Sequence, residues 1–162
     1  MENFEAGLRE RREATASRIA NKDLFLFFLD HEVKRARRYQ NFLSLLLVRF
    51  KQTATDEGNG NRLQTFYAEM CDFLGGEMRE SDVLYSLGAN QLVILLPYAD
   101  ESAGKNARLR LEDIIKDYDF KSRGFEVMIE QICFPAHGTA TIDLIKKTLE
   151  AKPSKMKGPR GR

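Results

Sequence analysis

The sequence predicts an α+β fold: a ferredoxin-like βαββαβ core with a central β-hairpin, flanking helices, and helices covering one face of the sheet. Apolar residues recur at helical spacing in four segments, and short apolar runs between these segments have the composition of strands. Two of the strand-like runs flank Gly88 and Asn90, which tolerate positive φ angles and therefore indicate a tight hairpin. A chain of 162 residues is long enough for one domain with its own core and too short for two.

The composition is that of a globular protein in water. Hydrophobic residues make up 43% of the chain and charged residues 31%, which excludes collagen-like, low-complexity and membrane proteins. No apolar stretch approaches the ~20 residues of a membrane span, and the charged N-terminus lacks the apolar region of a signal peptide. The net charge of +2 argues against nucleic acid as a partner. Because the sequence lacks both a membrane span and a signal peptide, we expect a cytoplasmic protein. No Cys/His spacing resembles a zinc site, so we expect no metal or other cofactor.

The first half of the chain predicts a leader, two helices and one strand. Residues 1–20 alternate acids and bases, which indicates a charged N-terminal helix or leader that assists self-association or joining to a partner. An amphipathic helix begins at its N-cap, Asn21, with an apolar stripe of Leu24, Phe25, Phe28, Leu29, Val33 and Ala36. The almost continuous apolar run of residues 41–50 predicts a buried central strand, and residues 56–61 predict a loop. A second amphipathic helix carries Leu63, Phe66, Tyr67, Met70, Phe73, Leu74 and Met78.

The second half of the chain completes the predicted core with a hairpin within residues 81–97, a third helix at about 101–118, a strand at 125–134 and a last helix at 141–151. Residues 152–162 form a basic segment broken by proline and glycine, which indicates a disordered tail. The predicted domain therefore covers residues 21–151.

The hairpin and its approach resemble the GGDEF family, the diguanylate cyclase domains of bacterial cyclic di-GMP signalling. Residues 79–97, RESDVLYSLGANQLVILLP, are similar without a gap to the family's run "RESD…YGGDEFVVLLP". Residues 34–47, KRARRYQNFLSLLL, are similar to the family's first helix and first strand, and residues 134–138, FPAHG, to its late "YPxxG" turn. The order and spacing of these pieces together are specific, and the resemblance extends over most of the chain.

The departures from the family pattern concern the hairpin turn and the metal site. Active members read Gly-Gly-Asp/Glu-Glu-Phe at the turn, where the glycines let the backbone approach GTP and the first acid helps to hold metal. Arg49 stands where the family has its other metal-binding aspartate, and the turn itself reads Gly88, Ala89, Asn90, Gln91 and Leu92. Two-metal phosphoryl transfer needs anionic oxygen ligands. The comparison therefore implies that the chain is not an active cyclase and holds no metal.

One ligand site of the family is retained. Many GGDEF domains bind their own product, cyclic di-GMP, at an inhibitory RxxD tetrapeptide that ends six residues before the signature. Arg79 and Asp82 have that spacing to Gly88, and ungapped counting from Pro97 places the family's second arginine at Arg110. An arginine fits the O6/N7 edge of guanine or a phosphodiester, and an aspartate accepts from guanine N1–H and N2–H. The resemblance therefore implies a regulatory domain that binds cyclic di-GMP.

Other interpretations of the same residues stay open. Arg79 and Asp82 also suit the end of a helix and the start of a strand, and Arg110 also suits a basic residue that flanks an apolar stripe. On that interpretation the chain is a protein-interaction or homodimerisation module that has lost every nucleotide site. A third interpretation is an enzyme that uses Arg49 for another nucleotide chemistry.

Overall fold

Within the residues described by the computed structural model (19–53, 60–88, 90–137 and 140–150), five strands form one sheet and four helices pack against it. The strands are β1 (Ile19–Ala20), β2 (Leu43–Gln52), β3 (Val83–Gly88), β4 (Gln91–Pro97) and β5 (Phe125–Phe134). The helices are α1 (Lys22–Arg38), α2 (Gly60–Glu77), α3 (Glu101–Asp117) and α4 (Ala140–Glu150). From β2 to β5 the order is βαββαβ, which confirms the predicted α+β class.

The strands lie in the order β1-β3-β4-β2-β5 across the sheet. The four longer strands run antiparallel to their neighbours, so that Leu45 of β2 lies between Leu95 of β4 and Ile132 of β5. This is the predicted ferredoxin-like plan, with the central hairpin β3–β4 beside β2. The remaining strand, β1, pairs parallel with β3 at the edge of the sheet.

The sheet begins two residues before the predicted domain start at residue 21. Ile19 and Ala20 pair with Leu84 and Tyr85 and so belong to the sheet, not to the predicted leader. A two-residue strand has no periodicity to reveal it, because its pairing depends on a partner more than 60 residues away. The rest of the predicted leader and the predicted basic tail lie outside the described residues, as does most of the predicted loop at 56–61.

The helices cover both faces of the sheet, and the expectation of a single covered face is wrong. Leu45 and Leu47 of β2 pack with α1 and α4, whereas Leu46 and Val48 pack with α2 and α3. Successive side chains of a strand point to opposite faces. A nearly continuous apolar strand therefore needs cover on both sides, because cover on one side would leave half of its side chains in water. The buried central strand predicted at 41–50 is confirmed.

The helix that precedes β2 begins where the sequence predicts. The side-chain Oδ1 of Asn21 accepts a hydrogen bond from the backbone N–H of Leu24 at 2.8 Å, as an N-cap residue does. The buried stripe of α1 is Phe25, Leu29, Val33 and Ala36, while Leu24 lies largely in solvent. None of the described helices combines the length and the apolar character that crossing a bilayer requires.

The N-terminal end of α3 lies unusually close to the sheet. A Cβ atom built on Gly104 would lie 2.6 Å from Ser44 Oγ, 2.7 Å from Gln131 Nε2 and 2.9 Å from Ser44 Cβ. The two side chains that fill this space also hold the helix, since Ser44 Oγ donates to the Ala99 carbonyl at 3.0 Å and Gln131 Nε2 donates to the Glu101 carbonyl at 2.8 Å. The helix therefore packs so close to β2 and β5 that position 104 has no room for a Cβ atom unless a neighbour moves.

Replacing Gly104 by alanine should lower the free energy of unfolding by about 1–3 kcal/mol, because the added methyl group overpacks this contact by more than the helix gains from alanine. Urea unfolding measures the effect. The matched control is Gly76→Ala in α2, where a Cβ meets nothing within 4 Å, and stability there should stay equal or rise by up to about 1 kcal/mol. Equal stability changes at the two sites would contradict the close contact.

Candidate functional site

The residues of the RxxD tetrapeptide and Arg110 line one pocket. Its volume is about 390 Å³, and it lies between the α2–β3 connection, the end of β4 and one face of α3. The helix contributes a stripe at spacings of three and four residues, which places these side chains on one face. The lining residues are Arg79, Ser81, Asp82, Leu96, Pro97, Tyr98, Ala99, Ala103, Asn106, Ala107 and Arg110. The structure therefore brings together all three residues predicted to bind the ligand.

The spacing of the tetrapeptide closes a turn. The backbone N–H of Arg79 donates to Asp82 Oδ2 at 2.9 Å, and the backbone N–H of Asp82 donates to the Arg79 carbonyl at 3.1 Å. The carboxylate of Asp82 is half-buried and the Arg79 side chain is exposed. Arg79 and Asp82 therefore do join the end of a helix to the start of a strand, as the alternative interpretation expects. Both residues of this turn also line the pocket.

The polar side chains of the pocket are two arginines, one amide, one carboxylate and two hydroxyl groups around a small apolar floor. Ala103 and Ala107 leave space on the face of α3, while Asn106 and Arg110 lie on the same stripe as exposed polar groups. Asp82 is the carboxylate among the pocket-lining residues. This arrangement suits a ligand that carries negative charge together with N–H donors, because arginine binds anions and a carboxylate accepts hydrogen bonds.

Tyr98 and Asn106 are among the pocket residues that the sequence analysis did not predict. Tyr98 directly follows the segment that resembles the family run, and 62% of its surface is exposed. Asn106 lies one turn before Arg110 on the same face of α3. Asn106 could have been predicted to share a helix face with Arg110, because the two residues are four apart in a helix. Tyr98 could not, because its backbone has a left-handed φ angle of +62° that no local sequence pattern indicates.

The hairpin leaves β3 without a left-handed angle at Gly88. The φ angle of Gly88 is not positive, and Ala89 lies outside the described residues. The strands instead pair Gly88 with Gln91 after a shift of register between Ser86 and Gly88. Such a bulge places an extra residue in one strand and bends it, so that the chain reverses without left-handed glycine geometry at Gly88. The predicted hairpin is confirmed, and Gly88 does not adopt the positive φ angle that glycine tolerates.

Leu92, the last residue of the turn segment that resembles the family signature, belongs to the core. Leu92 is fully buried opposite Val48 of β2, whereas Gln91 is half-buried opposite Arg49. The Asn90 carbonyl accepts a hydrogen bond from the Phe50 backbone N–H at 2.8 Å, which fastens the turn to β2. The turn therefore has a structural role at the end of the sheet opposite to the pocket, since β4 separates the two by roughly 20 Å.

Arg49 forms an ion pair at this end of the sheet. Its Nη2 lies 3.6 Å from Glu130 Oε2 on β5, and both side chains are about half exposed. Within the described ranges, no three His, Cys, Asp or Glu side chains are grouped in a way that suits a metal ion. The arrangement at Arg49 provides one cation with a carboxylate partner.

Beneath the turn, Tyr67 of α2 contacts the end of β3. Its hydroxyl forms a hydrogen bond with Ser86 Oγ, and Ser86 Oγ donates in turn to the Gly88 carbonyl at 3.2 Å. Burial raises the pKa of Tyr67 from its ordinary value of 10.0 to about 12, and burial also raises the pKa of the Cys71 thiol to about 11. Both groups are therefore neutral parts of the packing between α2 and the hairpin.

Solved structures share this fold. A DGC protein from Thermotoga maritima superimposes with a TM-score of 0.65 at 16% sequence identity, over 85% of this chain and 99% of that chain. The GGDEF domain of PA1120 (TpbB or YfiN) from Pseudomonas aeruginosa superimposes with a TM-score of 0.60 at 19% identity, over 81% and 82% of the two chains. The chain has the GGDEF fold.

A third structure of the GGDEF fold comes from a complex. The diguanylate cyclase SiaD from Pseudomonas aeruginosa, solved with its activator SiaC, superimposes with a TM-score of 0.61 at 16% identity, over 91% of this chain and 63% of SiaD. No protein-family model matches the sequence, and no curated protein matches it. The segments that resemble the family fall on the corresponding elements, with residues 34–47 on α1 and β2 and residues 79–97 from the α2–β3 connection to the end of β4.

Raising the pH above about 10 should destabilise the domain. Between pH 10 and 12 the folded state keeps the Tyr67 proton that the unfolded state releases, so the free energy of unfolding falls with rising pH. The contribution is complete below pH 10. Urea unfolding between about pH 8 and pH 11 measures this decline in the free energy of unfolding. Tyr67→Phe should make the decline shallower, and Cys71, which titrates in the same direction, should keep it from vanishing. A decline in Tyr67→Phe equal to that of the parent would contradict this role.

Proposed function

We propose that the chain is a catalytically inactive GGDEF-like signalling domain that binds cyclic di-GMP through Arg79, Asp82 and Arg110. The observation that carries the proposal is the shared pocket, because Arg110 lies 28 residues beyond Asp82 in the sequence and yet lines the same pocket. The resemblance of the tetrapeptide to the family's product-binding site and the GGDEF fold support the same assignment. We place such a receptor in the bacterial cytoplasm.

The ligand's chemistry matches the pocket. Cyclic di-GMP presents two guanine edges and two phosphodiesters, and the pocket presents two arginines and one carboxylate. A guanidinium binds a phosphodiester or the O6/N7 edge of guanine with two parallel hydrogen bonds. The Asp82 carboxylate is a hydrogen-bond acceptor with two oxygens, and a carboxylate is the group that suits the adjacent N1–H and N2–H donors of guanine.

The proposed absence of cyclase activity follows from the other end of the sheet. Asn90 and Gln91 are neutral amides, and Arg49 is a cation beside Glu130. Magnesium is bound in such sites by carboxylates and phosphate oxygens, and a guanidinium at the metal position repels it. The turn therefore lacks the negative charge that phosphoryl transfer requires.

The alternative function is a protein-interaction or dimerisation module without a nucleotide site. One observation favours a protein partner: a structure of the same fold, SiaD, was solved in complex with its activator SiaC. The two functions differ in a simple property, because a ligand that binds only the folded state must raise its apparent stability. A thermal-shift series with cyclic di-GMP, cyclic di-AMP and GTP therefore distinguishes the receptor from the pure interaction module.

Replacing Arg79 by alanine should weaken cyclic di-GMP binding by about 1–3 kcal/mol, or roughly five- to a hundredfold in affinity, because a bidentate contact is lost. Isothermal titration of the parent and the variant measures the change. Arg38→Ala in α1 removes the same charge from the surface outside the pocket and should leave the affinity unchanged. Equal affinity of the parent and Arg79→Ala would show that Arg79 does not bind the ligand, whereas no binding by the parent at micromolar concentrations would leave only the interaction module.

Asp82→Asn should reduce the preference for cyclic di-GMP over cyclic di-AMP. The amide oxygen of asparagine still accepts from the Arg79 backbone N–H, so the turn and the fold should persist, while the negative charge that reads guanine N1–H and N2–H is gone. Parallel titrations with the two dinucleotides give the ratio of affinities. An unchanged ratio would show that Asp82 does not read the base.

The purified chain should form no cyclic di-GMP from GTP with Mg²⁺ or Mn²⁺ above a blank. Restoring Gly-Gly-Asp-Glu-Phe at residues 88–92 alone should not create activity, because Arg49 still repels the metal. Chromatographic detection of the product after prolonged incubation checks both statements. Product formation by the parent chain would overturn the proposed inactivity and leave the pocket proposal to be judged by the titrations.

A further inference from the structure

Tyr98 has a backbone conformation that is unfavourable for its side chain. Its φ angle is +62°, in the left-handed region that bulky residues avoid because the Cβ atom crowds the following carbonyl. The residue lies in the short connection between β4 and α3, directly after Pro97 and before the N-cap Asp100. Such strain persists where the surroundings determine the conformation, and it is concentrated at ligand-binding sites.

An arginine holds the ring of Tyr98 from one side. The Cζ atom of Arg35 lies 3.6 Å from the centroid of the ring, which is the geometry of a cation–π contact. The Arg35 side chain is only 10% exposed, and its Nε and Nη2 lie 2.8 Å and 2.7 Å from Glu32 Oε2. The guanidinium is thus a fixed, flat support for the ring, and its orientation is set by an ion pair within α1.

Tyr98 as a whole nevertheless remains 62% exposed. The guanidinium of Arg35 lies over one face of the ring, which leaves the opposite face for a second partner. Tyr98 lines the same pocket as Arg79, Asp82 and Arg110. A strained, rigidly supported aromatic ring therefore presents uncovered apolar surface at the pocket that the proposed ligand enters.

We propose that Tyr98 is a stacking platform for one guanine base of the dinucleotide, positioned by the Glu32–Arg35 pair. This inference rests on the proposed function. Aromatic side chains bind nucleobases by stacking, and stacking is tolerant of base identity because every base has a π face. Tyr98 then contributes affinity without selectivity, while Asp82 reads the guanine edge and contributes the selectivity. The two roles give opposite signatures in the same pair of titrations.

The first test compares Tyr98→Leu with Tyr98→Phe in titrations with cyclic di-GMP and cyclic di-AMP. Leucine should weaken binding of both dinucleotides by a similar factor, on the order of ten- to a hundredfold, and phenylalanine should retain parent affinity. Tyr98→Gly adopts the left-handed angle without strain, so it supplies a second non-stacking variant that does not depend on the leucine variant folding. The matched control is Tyr39→Leu, a comparably exposed tyrosine at the end of α1 with Arg38 near its ring, which should bind as the parent does.

The second test uses the absence of tryptophan from the sequence. Tyr98→Trp introduces a single indole at the proposed platform, and a stacked guanine should quench its fluorescence with the midpoint that titration calorimetry gives. Tyr39→Trp is the control and should show no saturable quenching by cyclic di-GMP. Parent affinity in Tyr98→Leu and Tyr98→Gly, or binding to Tyr98→Trp without quenching, overturns the stacking role and leaves the receptor proposal intact. Failure of the parent chain to bind cyclic di-GMP overturns both.

Discussion

The close contact of Gly104 with Ser44 and Gln131 determines where the third helix lies on the sheet, and the candidate site depends on that position. Ser44 is a buried polar residue near the start of the apolar strand β2, and its hydroxyl donates to the Ala99 carbonyl before the helix. Gln131 of the neighbouring strand β5 donates to the Glu101 carbonyl. With this end of the helix held, the stripe from Ala103 to Arg110 faces the α2–β3 turn, and two segments distant in the sequence form one pocket.

The two ends of the β3–β4 hairpin lie near different sets of charged side chains. At the turn, the residues that resemble the cyclase signature are neutral or buried, and Arg49 lies beside Glu130. At the opposite end, the tetrapeptide keeps an acid and an arginine in a closed turn next to a second arginine. Because the separation is roughly 20 Å along β4, one site can lose its chemistry without disturbing the other. This separation is the physical basis for proposing a receptor built on a cyclase fold.

Local signals in the sequence predicted the elements well, and long-range contacts account for what they missed. The N-cap of Asn21, the apolar run of β2 and the hairpin are properties of a few neighbouring residues, and they were predicted close to their observed bounds. Three features depend on segments that are distant in the sequence. They are the second covered face of the sheet, the pairing of Ile19 with Leu84, and the close contact of Gly104 with β2 and β5. In the site, the family resemblance supplied Arg79, Asp82 and Arg110, whereas Tyr98 required the position of Arg35 and a left-handed backbone angle that periodicity does not encode.

We propose that cyclic di-GMP binds in the pocket of Arg79, Asp82 and Arg110, where the hairpin meets α3, and not at the turn between β3 and β4. Titration of an isotopically labelled chain with cyclic di-GMP, followed by amide NMR shifts, tests the location directly. We expect saturable shifts at residues 79–82, 98–99 and 103–110, with the amides of Arg49, Phe50 and residues 90–92 unchanged. Shifts confined to the turn, or no shifts at a ligand concentration in the high micromolar range, would contradict it.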